Sequence, residues 1–218
     1  MSTETPYNFI VIEGNIGAGK TTLATKMSND LNTRLILEQF DDNPFLPKFY
    51  EDPEKHAFPL ELSFLAERYH QLKRELTAQD IFRPCLISDY YFVKSLIFAK
   101  SNLKQDEFNL YSKLFHIIND SLPKPDLFVY LYHNVSQLQQ NIRKRGRSYE
   151  QHITDDYLLK IQNTYFDFFK QMPELKILII EMNNVDFANN QDDYELMLNI
   201  IKKPYNQGIT NVRAKMDD

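Results

Sequence analysis

The sequence predicts an α/β fold of three layers: a five-stranded parallel sheet with helices on both faces. Three observations carry that expectation. Short apolar runs rich in β-branched residues alternate with segments of helical period. The runs lack the polar alternation of a half-solvated sheet, as strands covered on both faces should. Glycine is also scarce and clustered. Average usage would give about fifteen in a chain of this size. The 218 residues hold 5, and three of them are Gly14, Gly17 and Gly19.

In chain order, the first strand is expected over 9–13, followed by the glycine cluster and a helix over 20–31. A second strand covers 34–38. The segment 58–77 carries Leu62, Leu65, Tyr69, Leu72 and Leu76 at helical spacing. A third strand follows over 85–89 and a helix over 108–119. Pro123 and Pro125 punctuate the entry to a fourth strand over 127–132. A helix over 135–144 ends near Gly146, where a C-cap favours left-handed geometry. A helix over 155–171, a fifth strand over 176–181 and a helix over 192–202 complete the alternation. The tail 204–218 has little periodicity and is expected to be loosely held. No repeat, low-complexity block or Gly/Ser linker divides the chain, which reads as one domain over 1–218.

Composition removes several classes. Hydrophobic residues make up 43% and aromatics 13%, too much for a disordered chain. A net charge of −5 argues against a nucleic-acid partner. The apolar runs are too short to span a bilayer, so no membrane partner is expected. The polar start, 1–7, has no signal-peptide pattern. Cys85 is the only cysteine, which rules out an intrachain disulfide, and neither it nor the scattered histidines give a zinc-ligand spacing. A reducing cytoplasm is the expected compartment.

Gly14-Asn15-Ile16-Gly17-Ala18-Gly19-Lys20-Thr21 matches G-x-x-x-x-G-K-[ST] between a strand and a helix. The four fixed positions arise by chance in about one per cent of chains this long. Glycines let successive N–H groups turn inward around phosphate oxygens, and the following helix adds its positive end. Lys20 supplies a point charge for the β and γ phosphates, and the Thr21 hydroxyl suits Mg²⁺. Residues 14–21, with Thr22, are therefore expected to hold ATP, and the fold is expected to be that of a P-loop NTPase. A guanine-reading N-K-x-D does not occur in the sequence, which speaks against a GTPase switch.

Glu13, Glu38 and Asp89 close three of the expected strands, at the sheet edge where ligands gather. Glu38 is placed to take the proton of an alcohol acceptor, and Asp89 to hold Mg²⁺ directly or through water. Arg143-Lys144-Arg145-Gly146-Arg147 is basic in an acidic chain. It is expected to form a mobile lid around 141–152, whose Arg143, Arg145 and Arg147 neutralise the transferring phosphoryl group and exclude water.

Together these motifs resemble the deoxyribonucleoside kinase family, most closely its bacterial deoxyguanosine kinase branch. The likeness runs from about residue 9 to 202. It rests on the phosphate loop, on Glu38-Gln39-Phe40-Asp41-Asp42-Asn43-Pro44-Phe45-Leu46 and on Phe49-Tyr50-Glu51-Asp52-Pro53-Glu54. It rests further on the helix from Leu60 to Arg68, on Ser88-Asp89-Tyr90-Tyr91, on Leu122-Pro123-Lys124-Pro125-Asp126 and on the lid. The resemblance implies a homodimer, Mg²⁺ with ATP, and transfer of the γ-phosphate to a deoxynucleoside 5′-hydroxyl. It gives Glu38 as general base and Asp89 as the acid near Mg²⁺. Tyr50 and Glu150 bind the sugar 3′-hydroxyl, Glu61 and Arg68 read the base, and Phe98 stacks on it. Asp186 and Phe187 correspond to the loop that holds the adenine of ATP. Two departures stand out: Tyr90 follows Asp89 where many members carry arginine, and Asn141 aligns with the first lid arginine.

An ionised Glu61 only accepts hydrogen bonds. Guanine offers N1–H and its 2-amino group on one edge, so deoxyguanosine is expected ahead of deoxyadenosine. The competing readings are a nucleoside monophosphate kinase of the thymidylate kinase type and a non-catalytic nucleotide-binding switch.

Overall fold

The first strand, β1 (Phe9–Gly14), runs through the glycine cluster into α1 (Lys20–Leu31) and β2 (Arg34–Ile36). This computed structural model describes residues 5–39, 43–78, 83 and 85–215. Next come α2 (Leu46–Glu51), α3 (Pro53–Thr77), β3 (Leu86–Ser88), α4 (Val93–Asn102), α5 (Gln105–Asn119) and β4 (Leu127–Tyr132). The chain continues with α6 (Val135–Arg145), α7 (Asp155–Lys170), β5 (Lys176–Glu181), α8 (Gln191–Ile201) and β6 (Gly208–Arg213). All pairings are parallel, in the order β2-β3-β1-β4-β5-β6.

The uninterrupted apolar strands are explained by two cores. Ile10, Ile12, Val129, Leu131, Leu178 and Ile180 face one side with Leu23 and Met27 of α1 and Met197 and Ile201 of α8. Phe9, Val11, Phe128, Tyr130, Ile177 and Ile179 face the other with Leu65, Phe92, Phe115, Tyr165 and Phe169. Successive residues of one strand thus enter opposite cores, which leaves no position for a polar alternation.

Among the described residues the sheet has six strands rather than the expected five, and the sixth lies in the tail. β6 pairs with β5 from Lys176↔Gly208 to Glu181↔Arg213. Ile209 points outward and Thr210 inward, so this edge strand has neither an apolar run nor a clean alternation. Ladder hydrogen bonds hold it, helped by Arg213 Nε to Glu181 Oε2 at 2.9 Å. Tyr205 N–H donates to the Tyr7 hydroxyl at 2.8 Å. Residues 216–218 lie outside the described residues.

Two helices were not expected. The short α2 opens with proline in its first turn. α4 has Phe92 at its N-cap with no capping side chain, so it carries no start signal of the usual kind. Asp52 caps α3 by accepting from Lys55 N–H at 3.3 Å, and the helix runs through Pro59. β2 and β3 end early, which puts Glu38 and Asp89 in the turns just beyond their carboxyl ends.

Candidate active site

The glycine loop joins β1 to α1. Gly17 and Gly19 have φ of 82° and 85°, a left-handed region costly for other residues. A Cβ on Gly19 would stand 2.8 Å from Phe187 Cζ, and one on Gly17 2.9 Å from the Leu138 carbonyl oxygen. Asn15 anchors the loop from within: its Nδ2 donates to the Leu158 carbonyl at 2.7 Å, and its Oδ1 accepts from Ile16 N–H at 2.8 Å. Lys20 Nζ donates to the carbonyls of Gly14 and Asn15, both at 3.0 Å. Burial, with Lys94 nearby, lowers Lys20 to about 8 against the opposing pull of Glu13, Glu38 and Asp89.

On one side of this loop lies a cavity of 710 Å³. Gly17 to Thr22, Lys144, Arg145, Arg147, Asp186 and Phe187 all line it. Phe187 packs on Gly19, and its carbonyl accepts from Lys26 of α1 at 2.9 Å. Asp186 is held by Asn189, whose Nδ2 donates to both carboxylate oxygens at 3.0 and 2.9 Å; this hydrogen bonding keeps it below the usual carboxylate range. Asn141 sits where the first lid arginine was expected and donates to the Gly17 carbonyl at 2.8 Å. Arg143 is exposed and does not join the residues lining this cavity.

On the other side a second pocket brings together Lys20, Thr21, Glu38, Tyr50, Glu61, Arg68, Asp89, Phe98 and Glu150. Asp89 links three segments: its Oδ2 accepts from the Thr21 hydroxyl at 2.5 Å and its Oδ1 from Glu38 N–H at 2.8 Å. Glu38 is clamped from both sides. Arg68 Nε and Nη2 reach its Oε1 at 2.9 and 2.8 Å, and Lys94 Nζ pairs with its Oε2. Burial alone would raise this carboxyl, but the charges and hydrogen bonds of Lys94 and Arg68 hold it at about 2.

Arg68, expected at the base, is therefore committed to Glu38 and to the Ser95 hydroxyl at 2.9 Å. Glu61, from the same helix, accepts from Asn102 Nδ2 at 2.6 Å through one oxygen, while the other has no partner. Burial pushes it up to about 7 against the pull of Arg68 and the Asn102 hydrogen bond. Both protonation states are then populated near neutrality, whereas the sequence argument assumed only the ionised form. Tyr50 stacks on Tyr149 with ring centres 5.7 Å apart. The buried Glu150 pairs with Arg145, and with Arg147 at 3.4 Å. Of the quoted segment 38–46, residues 40–42 lie outside the described residues.

Sequence reasoning missed Lys94, Asn102 and Tyr149, all of which line this pocket. Lys94 and Asn102 belong to the unpredicted α4, so their helical positions had no signal. Glu13 is not a solvent-facing strand end. Its carboxyl accepts from Tyr91 N–H at 3.0 Å and the Tyr165 hydroxyl at 2.9 Å beneath the loop, and burial raises its pKa.

The donor chemistry of Thr21 and Asp89 fits Mg²⁺, which takes a few protein oxygens and completes its shell with phosphates and water. No cluster of three or more histidine, cysteine or acidic side chains suited to a metal occurs among the described residues. Nor is any helix among them long and apolar enough to cross a membrane.

The deoxynucleoside kinase family model matches residues 10–205. Deoxyguanosine kinase of Bacillus subtilis is 38% identical over 89% of this chain and 96% of its own length. Deoxyadenosine kinase of Dictyostelium discoideum is 31% identical over 90% of this chain and 78% of its own. Among solved structures, deoxyadenosine kinase from M. mycoides with bound dATP superposes with a TM-score of 0.77 at 26% identity, covering 89% of this chain and 100% of that one. The chain belongs to the deoxynucleoside kinase family.

Proposed function

We propose that this kinase transfers the ATP γ-phosphate to the 5′-hydroxyl of a purine deoxynucleoside, deoxyguanosine ahead of deoxyadenosine. The observation that carries this reading is the carboxylate of Glu38, whose side chain is 9% exposed, facing a pocket that also holds Lys20 and Thr21 of the phosphate loop. ATP lies along the loop with its adenine toward Phe187. The deoxynucleoside enters the second pocket, its base between Phe98 and Glu61 and its 3′-hydroxyl at Tyr50 and Glu150. Glu38 takes the 5′-hydroxyl proton. Arg145 and Arg147 turn from Glu150 to the transferring group as the lid closes. Thr21 and Asp89 hold Mg²⁺, whose charge offsets that of the phosphate oxygens.

Relatives named for either purine nucleoside support the substrate class without ranking the two bases. The ranking comes from Glu61, whose unpartnered oxygen beside the one bound by Asn102 offers two acceptors to guanine when ionised. The deciding assay incubates the enzyme with Mg·ATP and a panel of nucleosides and monophosphates and counts new phosphate esters. Phosphorylation of deoxyguanosine above deoxyadenosine is expected. Faster turnover of deoxycytidine or thymidine than of either purine would refute the base assignment.

The homodimer contact is assigned to α5. Leu110, Leu114 and Ile117 are exposed there at i, i+4 and i+7 spacing, an apolar stripe of the kind that marks an interaction surface. Sedimentation should give a dimer for the native chain and a monomer for Ile117→Glu.

A further inference from the structure

Lys94 lies in the first turn of α4 with 8% of its surface exposed. Its ammonium pairs with Glu38 Oε2, stands 5.5 Å from the centre of the Phe98 ring, and faces the same pocket as Lys20, Thr21 and Arg145. The other oxygen of Glu38 belongs to Arg68. That guanidinium is fixed on several sides, by two nitrogens on Oε1, by Ser95 and by the Phe64 ring 4.7 Å away. The two cations are therefore not equivalent. Arg68 is a rigid fork already locked in place, whereas Lys94 is a point charge on a flexible stem.

Oε1 of Glu38 already accepts from two guanidinium nitrogens, whereas Oε2 has the single ammonium and an acceptor site left for a hydroxyl. Withdrawing that ammonium makes Oε2 the stronger base, and Lys94 is the partner that can move. No charge comes from Tyr90, directly after Asp89: it is fully buried, and its hydroxyl donates to Gln71 Oε1 at 2.7 Å, away from the pocket.

We infer that Lys94 is a catalytic residue that leaves Glu38 Oε2 for the transferring phosphoryl group and so makes that oxygen a stronger base for the attacking hydroxyl. The inference rests on the kinase reading above. In the step, the acceptor O–H bond breaks and its proton passes to Glu38. The acceptor oxygen bonds to the γ-phosphorus, and the bond from that phosphorus to the β–γ bridging oxygen breaks. The bond's electron pair leaves with the nucleoside diphosphate. Lys94 stays protonated throughout and stabilises charge on the phosphoryl oxygens.

The test compares wild type, Lys94→Gln and Lys94→Arg on whichever deoxynucleoside the wild type turns over best. Nucleoside affinity is measured by calorimetry, and thermal melting reports folding. Lys94→Gln should lose about 10²–10³-fold in kcat, the usual cost of removing one such stabilising donor, while binding the nucleoside as wild type does. Lys94→Arg should recover most of that loss. A glutamine variant with undiminished kcat, or one whose defect lies only in nucleoside affinity, overturns the inference and leaves the kinase reading intact. A wild type that phosphorylates no deoxynucleoside overturns the kinase reading itself. A crystal structure of the wild-type chain with Mg·ADP, aluminium fluoride and the nucleoside gives a reading that needs no variant. Lys94 on a fluoride supports the inference; Lys94 still on Glu38 overturns it.

Discussion

Replacing Glu61 with glutamine keeps the shape of the side chain and removes its titration. In the structure this carboxyl is almost fully buried, with Asn102 on one oxygen and no partner on the other. Burial raises it from the ordinary 4.5 to about 7, Glu38 adding to the rise while Arg68, the Asn102 hydrogen bond and Lys94 oppose it. A rise of that size corresponds to about 3 kcal/mol against the ionised form. Between about pH 4.5 and 7 the folded chain holds a proton that the unfolded chain has released. Stability therefore falls as pH rises through that window, and the full cost stands above it. Glu61→Gln escapes this cost. Relative to wild type it should gain up to about 3 kcal/mol on going from pH 5 to pH 8, or roughly 6–12 °C in Tm for a chain of this size. Thermal or urea unfolding of both proteins without ligands measures the difference. Parallel pH profiles for the two would refute the buried-carboxyl argument.

The same residue gives a second reading, in specificity. An ionised Glu61 presents two acceptors and complements the N1–H and amino group of guanine. A protonated one presents a donor and an acceptor and complements N1 and the amino group of adenine. The ratio of kcat/KM for deoxyguanosine over deoxyadenosine should then rise with pH, by at most about tenfold per unit, and Glu61→Gln should flatten it. A ratio that ignores pH in the wild type would remove Glu61 from base selection.

Glu38→Gln should keep ATP and nucleoside binding yet lose kcat by roughly 10²–10⁴-fold, the share of general-base catalysis; near-normal turnover would remove Glu38 from that role. Gly19→Ala meets both a left-handed φ and the Phe187 ring, so it should cost about 1–2 kcal/mol from the backbone alone, read by melting, and weaken ATP binding by calorimetry. Glu150→Gln should raise KM for the deoxynucleoside about tenfold, as expected for loss of a charge-assisted hydrogen bond. It should also narrow the gap between 2′-deoxy- and 2′,3′-dideoxynucleosides; an unchanged gap would place the 3′-hydroxyl elsewhere.

What the sequence made legible was whatever a single segment encodes. The phosphate loop is contiguous, and its glycine, lysine and threonine spacing is set by the geometry of one turn. Glu38 and Asp89 could be placed because a parallel sheet delivers its strand ends to one edge. The clamp on Glu38 could not, since it joins the turn after β2 to α3 and α4 across 56 residues. Lys94 and Asn102 stood in a stretch, 90–103, whose apolar and β-branched content hid a helix with no capping residue. Arg68 was found as a pocket residue but given the base as its partner. Which anion a guanidinium meets depends here on how α3 lies against the turn after β2, and helical spacing within α3 does not record it. β6 escaped for the opposite reason: its stability comes from backbone pairing with β5, and its side chains carry little pattern.

Four cations around the phosphate path share one property that explains why the clamp matters. Each already has a partner in the structure: Lys20 the carbonyls of its own loop, Lys94 the carboxylate of Glu38, Arg145 and Arg147 that of Glu150. Buried unpaired charges would be costly, so the fold satisfies them internally, and substrate binding becomes an exchange of partners. Glu150 stands at both ends of that exchange. In the proposed complex it receives the sugar 3′-hydroxyl on the carboxylate that otherwise holds the lid arginines. Seating the acceptor then loosens Arg145 and Arg147, and they turn toward phosphate when an acceptor hydroxyl is there to receive it. Water brings no 3′-hydroxyl to Glu150 and leaves the arginines where they are. In the proposed complex, then, the lid pairing favours transfer to the nucleoside over hydrolysis of ATP.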